Sequence, residues 1–136
     1  MKVVIDTNIL WVSISSKSST HWVVQHLLAG TFTLCVTSEI LQEYEEIIGQ
    51  QLGQKVATTF MELLENLNNV EEITRYYSWL LIHQDPDDNK FVDCAIAANA
   101  QYLATNDKHF NVVKAIPFPK VNIVNAQEFY DILNTL

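Results

Sequence analysis

Lys2-Val3-Val4-Ile5, closed by Asp6-Thr7-Asn8, is the stretch that most constrains this chain. Val3, Val4 and Ile5 are apolar and β-branched without alternation, the pattern of a strand covered on both faces. Asp6 ends that run abruptly. Open parallel sheets bind ligands outside the carboxyl ends of their strands, so a carboxylate there stands where chemistry is done.

The rest of the chain supplies matching elements. Phe32–Val36, Tyr102–Thr105 and Val121–Val124 read as strands, the last at an edge. Val70–Tyr77 reads as another, interrupted by Glu71 and Glu72. A Ser-rich loop spans Ser13–Ser19, and Thr20 caps a short helix ended by Gly30. Ser38 caps a helix carrying Ile40, Leu41, Tyr44, Ile47 and Ile48 at helical spacing. Gly49 and Gly53 bracket a break before a helix with Val56, Phe60, Leu63, Leu64 and Leu67 on one stripe. The turn Asp85–Asn89 feeds a helix over Lys90–Ala100, with Asp87 or Asp88 as its N-cap. His109-Phe110 starts a short helical turn. Asn125 and Glu128 form a capping box for a last helix with Phe129, Ile132, Leu133 and Leu136 inward. Strands alternating with helices predict an α/β fold, a three-layer α/β/α sandwich with a central parallel sheet of about five strands. No linker or repeat divides residues 1–136, which read as one domain.

Composition narrows the function. Hydrophobic residues make up 49% and charged residues 18%, which excludes a disordered chain. No apolar run is long enough for a membrane span. The N-terminus enters a strand directly, so no signal peptide is expected, and Cys35 and Cys94 read as buried free thiols of a cytoplasmic protein. The formal charge of −8 argues against broad, unspecific nucleic-acid binding. It does not exclude a nucleic-acid substrate, because carboxylates built to hold cations add to the negative total and the ion reverses the local sign.

Four carboxylates converge in this reading. Asp6 and Asp107 follow apolar strands whose carboxyl ends share one edge. Asp93 lies in the first two turns of a helix starting at that edge, on an otherwise apolar face. Glu43 lies in the first two turns of another, and geometry leaves it tied with Glu45 for an inward role. Each has an ordinary alternative: Asp6 a loop cap, Glu43 a solvated charge, Asp87 and Asp88 caps, Asp107 a turn residue. Asp93 has the weakest alternative, since a carboxylate on an apolar helix is costly to bury without a partner. Clustered carboxylates raise each other's pKa. With only Lys90 and Lys108 nearby in sequence, a divalent cation resolves the repulsion. Oxygen ligands without Cys or organised His indicate Mg²⁺ or Mn²⁺, which commonly acts on phosphate esters. His21, His26 and His83 read as ordinary, and His109 as a candidate for substrate contact. Trp11, Trp22 and Trp79 read as core.

Four ordered motifs then become specific: Asp6-Thr7-Asn8; Thr37-Ser38-Glu39-Ile40-Leu41-Gln42-Glu43-Tyr44; Asp85 to Ala95; and Leu103-Ala104-Thr105-Asn106-Asp107-Lys108-His109-Phe110. Over nearly the whole chain they resemble the PIN domain, and more narrowly the VapC-like toxins of toxin–antitoxin systems. The resemblance implies a metal-dependent endoribonuclease, often dimeric, with an antitoxin partner. It implies Asp6, Glu43, Asp93 and Asp107 as acidic ligands, which decides between Glu43 and Glu45. It also implies Asn8 and Thr105 as supporting groups, and leaves the part of Asp88 open. An activated water, rather than a side chain, is the expected nucleophile. Two other classes compete. An aspartyl phosphatase would use Asp6 as nucleophile, but that chemistry wants a second Asp two residues on, where Asn8 stands. A non-catalytic module docking a partner protein would have no need of intact acids.

Overall fold

The structure is a computed structural model that describes residues 1–75, 77–83 and 85–136. Five strands make one parallel sheet: β1 (Lys2–Ile5), β2 (Thr33–Val36), β3 (Val70–Glu72), β4 (Tyr102–Ala104) and β5 (Ile123–Val124), in the order β3-β2-β1-β4-β5. Register places Val3 between Leu34 and Tyr102, and Ile5 beside Ala104. Val3, Val4, Ile5, Leu34, Cys35, Leu103 and Ala104 are fully buried, as uninterrupted apolar strands require.

Among the described residues seven α-helices accompany these strands, the last following β5: α1 (Thr7–Ser13), α2 (Trp22–Ala29), α3 (Ser38–Leu52), α4 (Gln54–Asn66), α5 (Asn89–Ala98), α6 (Asn111–Lys114) and α7 (Ala126–Asn134). Successive crossovers run outward from β1 to β3, then return to β4 and β5. Right-handed crossovers therefore put helices on both faces, giving the three-layer sandwich. The order reverses between β1 and β4, which makes that gap the switch point of the sheet. Helix α5 packs across β1, β2 and β4, and its buried Ala95 and Ala98 permit the close approach.

Several local expectations change. The chain after Asp6 turns at once into α1, and Ser13 is its buried last residue, its hydroxyl donating to the Leu10 carbonyl. Thr37, not Ser38, is the N-cap of α3, its Oγ1 accepting from Ile40 N–H. Thr20 does not cap α2; His21 holds that position without a side-chain bond. Helix α3 runs through Gly49 and breaks at Gly53, whose φ of 98° lies in the region that favours glycine. The third strand stops at Glu72, and Tyr76, inside the expected span, lies outside the described residues. Leu136 is exposed rather than inward. Trp11 and Trp22 are half-buried and pack against the core, whereas Trp79, 37% exposed, is not part of it, contrary to expectation. Cys35 and Cys94 are buried free thiols, and burial pushes them up to about 11 and about 12. Among the described residues no helix is long and apolar enough to cross a membrane.

Candidate metal centre

The switch point carries the acids. The backbone N–H of Asp6 donates to the Ala104 carbonyl at 3.0 Å, continuing the β1–β4 pairing one step past the strand. Its carbonyl accepts from Ile9 and Leu10 to start α1, while its side chain makes no capping bond. That carboxylate, 5% exposed, instead accepts the Thr105 hydroxyl at 2.7 Å. Thr105 Oγ1 also accepts the Asp107 N–H at 3.0 Å, so one buried hydroxyl ties the ends of β1 and β4 together. Burial raises the Asp6 pKa most, the Thr105 bond opposes it, and the Glu43 and Asp107 charges raise it further.

Glu43 arrives from the second turn of α3. One of its oxygens accepts the Thr7 hydroxyl, and Oε1 lies 2.7 Å from Lys90 Nζ. Glu45 is exposed, so packing sends Glu43 inward. Asp107 Oδ1 accepts the His109 N–H at 2.9 Å, closing the tight turn after β4.

Asp88 is the decisive addition. Asp85, not Asp87 or Asp88, caps the 3-10 turn Pro86–Asp88, accepting from Asp87 N–H at 3.3 Å. Asp88 stands at the N-cap position of α5 but makes no capping bond, which frees its carboxylate to face the other acids. Its Oδ2 is buried without a hydrogen-bond partner among the described residues. Burial, then the charges of Asp85, Asp107, Asp6 and Glu43, push its pKa up to about 7. Asp85, Asp88 and His109 each offer a ligand atom within 4.8 Å of the others. His109 Nδ1 lies 3.5 Å from Asp107 Oδ1, which brings this trio to the rim shared with Asp107.

Asp93 does not join them. Its side chain is 1% exposed, Oδ2 meets Arg75 Nη1 at 2.8 Å, and Oδ1 accepts the Trp79 N–H at 3.0 Å. Arg75 also holds Glu39 at 2.8 Å. The buried carboxylate has its partner, but that partner is a guanidinium anchoring the segment after β3. Asn8 also points elsewhere: it is exposed and accepts the Trp11 indole N–H at 3.3 Å. Among the expected residues, then, Asp6, Glu43, Asp107 and Thr105 meet at one rim with Asp88, while Asp93 and Asn8 do not. Sequence reasoning missed Thr7 and Arg75. The signal for Thr7 was its place in Asp-Thr-Asn, and nothing local marked Arg75.

Among the described residues, the atoms close enough to share a cation are those of Asp85, Asp88 and His109, with the charges of Asp107, Asp6 and Glu43 acting on Asp88 from the same rim. Two carboxylates and an imidazole, with further carboxylates beside them, suit a divalent cation such as Mg²⁺ or Mn²⁺.

The PIN domain sequence profile matches residues 2–109. The chain belongs to the PIN domain family. The fold of this PIN domain is similar to that in the VapBC2 complex from Rickettsia felis bound to promoter DNA, at 20% identity and TM-score 0.61, over 92% of this chain and 98% of the other. It is also similar to VapC20 of Mycobacterium tuberculosis, a sarcin–ricin loop cleaving toxin, at 16% identity and TM-score 0.57, over 80% and 92%. The PIN domain endonuclease Utp24 matches at 17% identity and TM-score 0.54, over 91% and 84%. No curated protein matches the sequence.

Proposed function

We propose that this PIN domain is a metal-dependent endoribonuclease of the VapC-like type, the toxin of a toxin–antitoxin pair. The observation that carries the proposal is the buried Oδ2 of Asp88, which has no hydrogen bond among the described residues, lies 3.9 Å from His109 Nδ1 and feels the charges of Asp85, Asp107, Asp6 and Glu43. Asp6, Asp88 and Asp107 would hold Mg²⁺ or Mn²⁺, with His109 and Asp85 beside them and Glu43 at the same rim, held by Thr7 and Lys90. When bound, such an ion lowers the pKa of water and offsets charge on a phosphoryl group. The chain's own residues prepare the site. Thr105 opposes the burial-driven rise of the Asp6 pKa by donating to it, and Thr7 and Lys90 fix the rotamer of Glu43. Asn8, turned to Trp11, stands where phosphatase chemistry wants a second Asp two residues after the nucleophile, which weighs against that chemistry.

An antitoxin partner is proposed on the likeness to the VapBC2 complex and to FitAB; dimerisation and a cytoplasmic setting are proposed on the resemblance to VapC-like toxins alone. The test is incubation with total RNA in Mg²⁺, in Mn²⁺ and in chelator, followed by mapping of new ends. Discrete ends that appear with the ions and vanish with chelator support the proposal. Cleavage that persists in chelator, or no cleavage of any RNA, refutes it.

A further inference from the structure

One cation is already built into the acidic rim. Lys90 Nζ lies 2.7 Å from Glu43 Oε1 and 3.1 Å from Asp87 Oδ1, and its side chain is 12% exposed. Burial by itself disfavours an ammonium, but the bonds to the two carboxylates outweigh it and raise the pKa above the ordinary value. An ammonium carries three N–H groups. Two serve Glu43 and Asp87, and Nζ also stands 5.9 Å from the centroid of the Phe91 ring. Glu43, for its part, is engaged on both oxygens, by Thr7 and by Lys90. The partnerless oxygen in the rim belongs to Asp88, on the residue two before Lys90 at the start of α5.

We infer that Lys90 stands in for a second divalent ion: the centre holds a single ion, on the side of Asp6, Asp88 and Asp107, and Lys90 binds a non-bridging phosphate oxygen of the RNA. The inference rests on the nuclease reading of the same rim. A lysine ammonium is a compact point charge, suited to replace an ion beside a phosphate. Its position is fixed by the first turn of α5 and two carboxylates, so it contributes without reorganising. A lysine that merely paired charges would affect stability without changing how many ions bind.

The test counts ions. Mn²⁺ is titrated into the wild-type chain, K90M and K90Q, and bound Mn²⁺ is read by electron paramagnetic resonance after circular dichroism has checked folding. Wild type is expected to take up one Mn²⁺ per chain. The variants are expected to take up a second, or to hold the first about tenfold tighter, as loss of an adjacent positive charge requires. Their KM for RNA rises. Variants with the wild-type count and affinity overturn the inference, as does a wild type that binds two ions. If neither variant folds, the wild-type count decides alone. An RNA-cleaving wild type with two ions defeats only the role of Lys90, whereas a wild type that binds no Mn²⁺ and cleaves nothing defeats the nuclease reading too.

Discussion

Arg75 Nη1 lies 2.8 Å from Oδ2 of Asp93, a carboxylate that is 1% exposed. The pair fastens the segment after β3 to α5, and the Trp79 N–H completes the clasp on the other oxygen. Removing one partner of a buried ion pair strands the other. R75A should therefore cost about 3 kcal/mol of folding stability, measured by urea unfolding. D93N removes the charge but keeps an acceptor for Trp79 N–H, so it should cost less and leave Mn²⁺ affinity within twofold, roughly, of wild type. A collapse of Mn²⁺ binding in folded D93N would return Asp93 to the ligand set.

Thr105 joins Asp6 and Asp107 through one hydroxyl. T105V preserves shape and removes both bonds. Outer groups of this kind ordinarily govern metal affinity by about 10- to 100-fold, and a loss in that range is expected by calorimetric titration with Mn²⁺. An unchanged affinity would mean that Asp6 is not held by Thr105 for this purpose.

Asp88 gives a pH dependence with a definite sign. Its folded-state pKa is pushed from the ordinary 3.8 up to about 7, so between those values the folded state binds more protons than the unfolded. Its contribution to stability is fully present below the unfolded pKa and is lost as pH rises through the folded one. Without metal, D88N should therefore gain stability relative to wild type between pH 5 and pH 8, about the two sides of that titration. Saturating Mn²⁺ should reverse the order at pH 8 by stabilising wild type alone. Equal stabilities at both pH values would show that Asp88 is not crowded by the other acids.

At the far end of the chain, Asn125 accepts the Glu128 N–H at 2.8 Å, and Glu128 Oε1 accepts the Asn125 N–H at 2.9 Å. N125A should cost about 1 kcal/mol by thermal or urea unfolding and leave cleavage unchanged. A loss of cleavage would extend the site to the β5–α7 turn.

Much of this was legible in the sequence. Unalternating apolar runs at Val3–Ile5 and Leu34–Val36 marked the central strands, and Asn125 with Glu128 marked the start of α7. The short β3 was harder to delimit, because its length is set by pairing to β2 rather than by its own residues. Within the site, Asp6 and Asp107 were legible because strand ends in a parallel sheet share an edge. Asp93 and Asp88 both depart from what their local sequence suggested: Asp93 is paired to Arg75, and Asp88 stands at the N-cap position without a capping bond. An acid before a helix looks like a cap, and an acid on an apolar helix looks like a ligand. Asp85 took the capping bond and Arg75, eighteen positions before Asp93, took the buried charge. Asp85 lies within a helical turn of Asp88 and was a competing cap in the same acidic run, whereas Arg75 lies far outside the local window around Asp93.

The most direct measurement is a crystal of the wild-type protein soaked in Mn²⁺, with the ion located by its anomalous scattering. The ion is expected against the carboxylates of Asp6, Asp88 and Asp107, with Asp93 still paired to Arg75. Manganese bound at Asp93, or none at the β1–β4 switch point, would contradict the account.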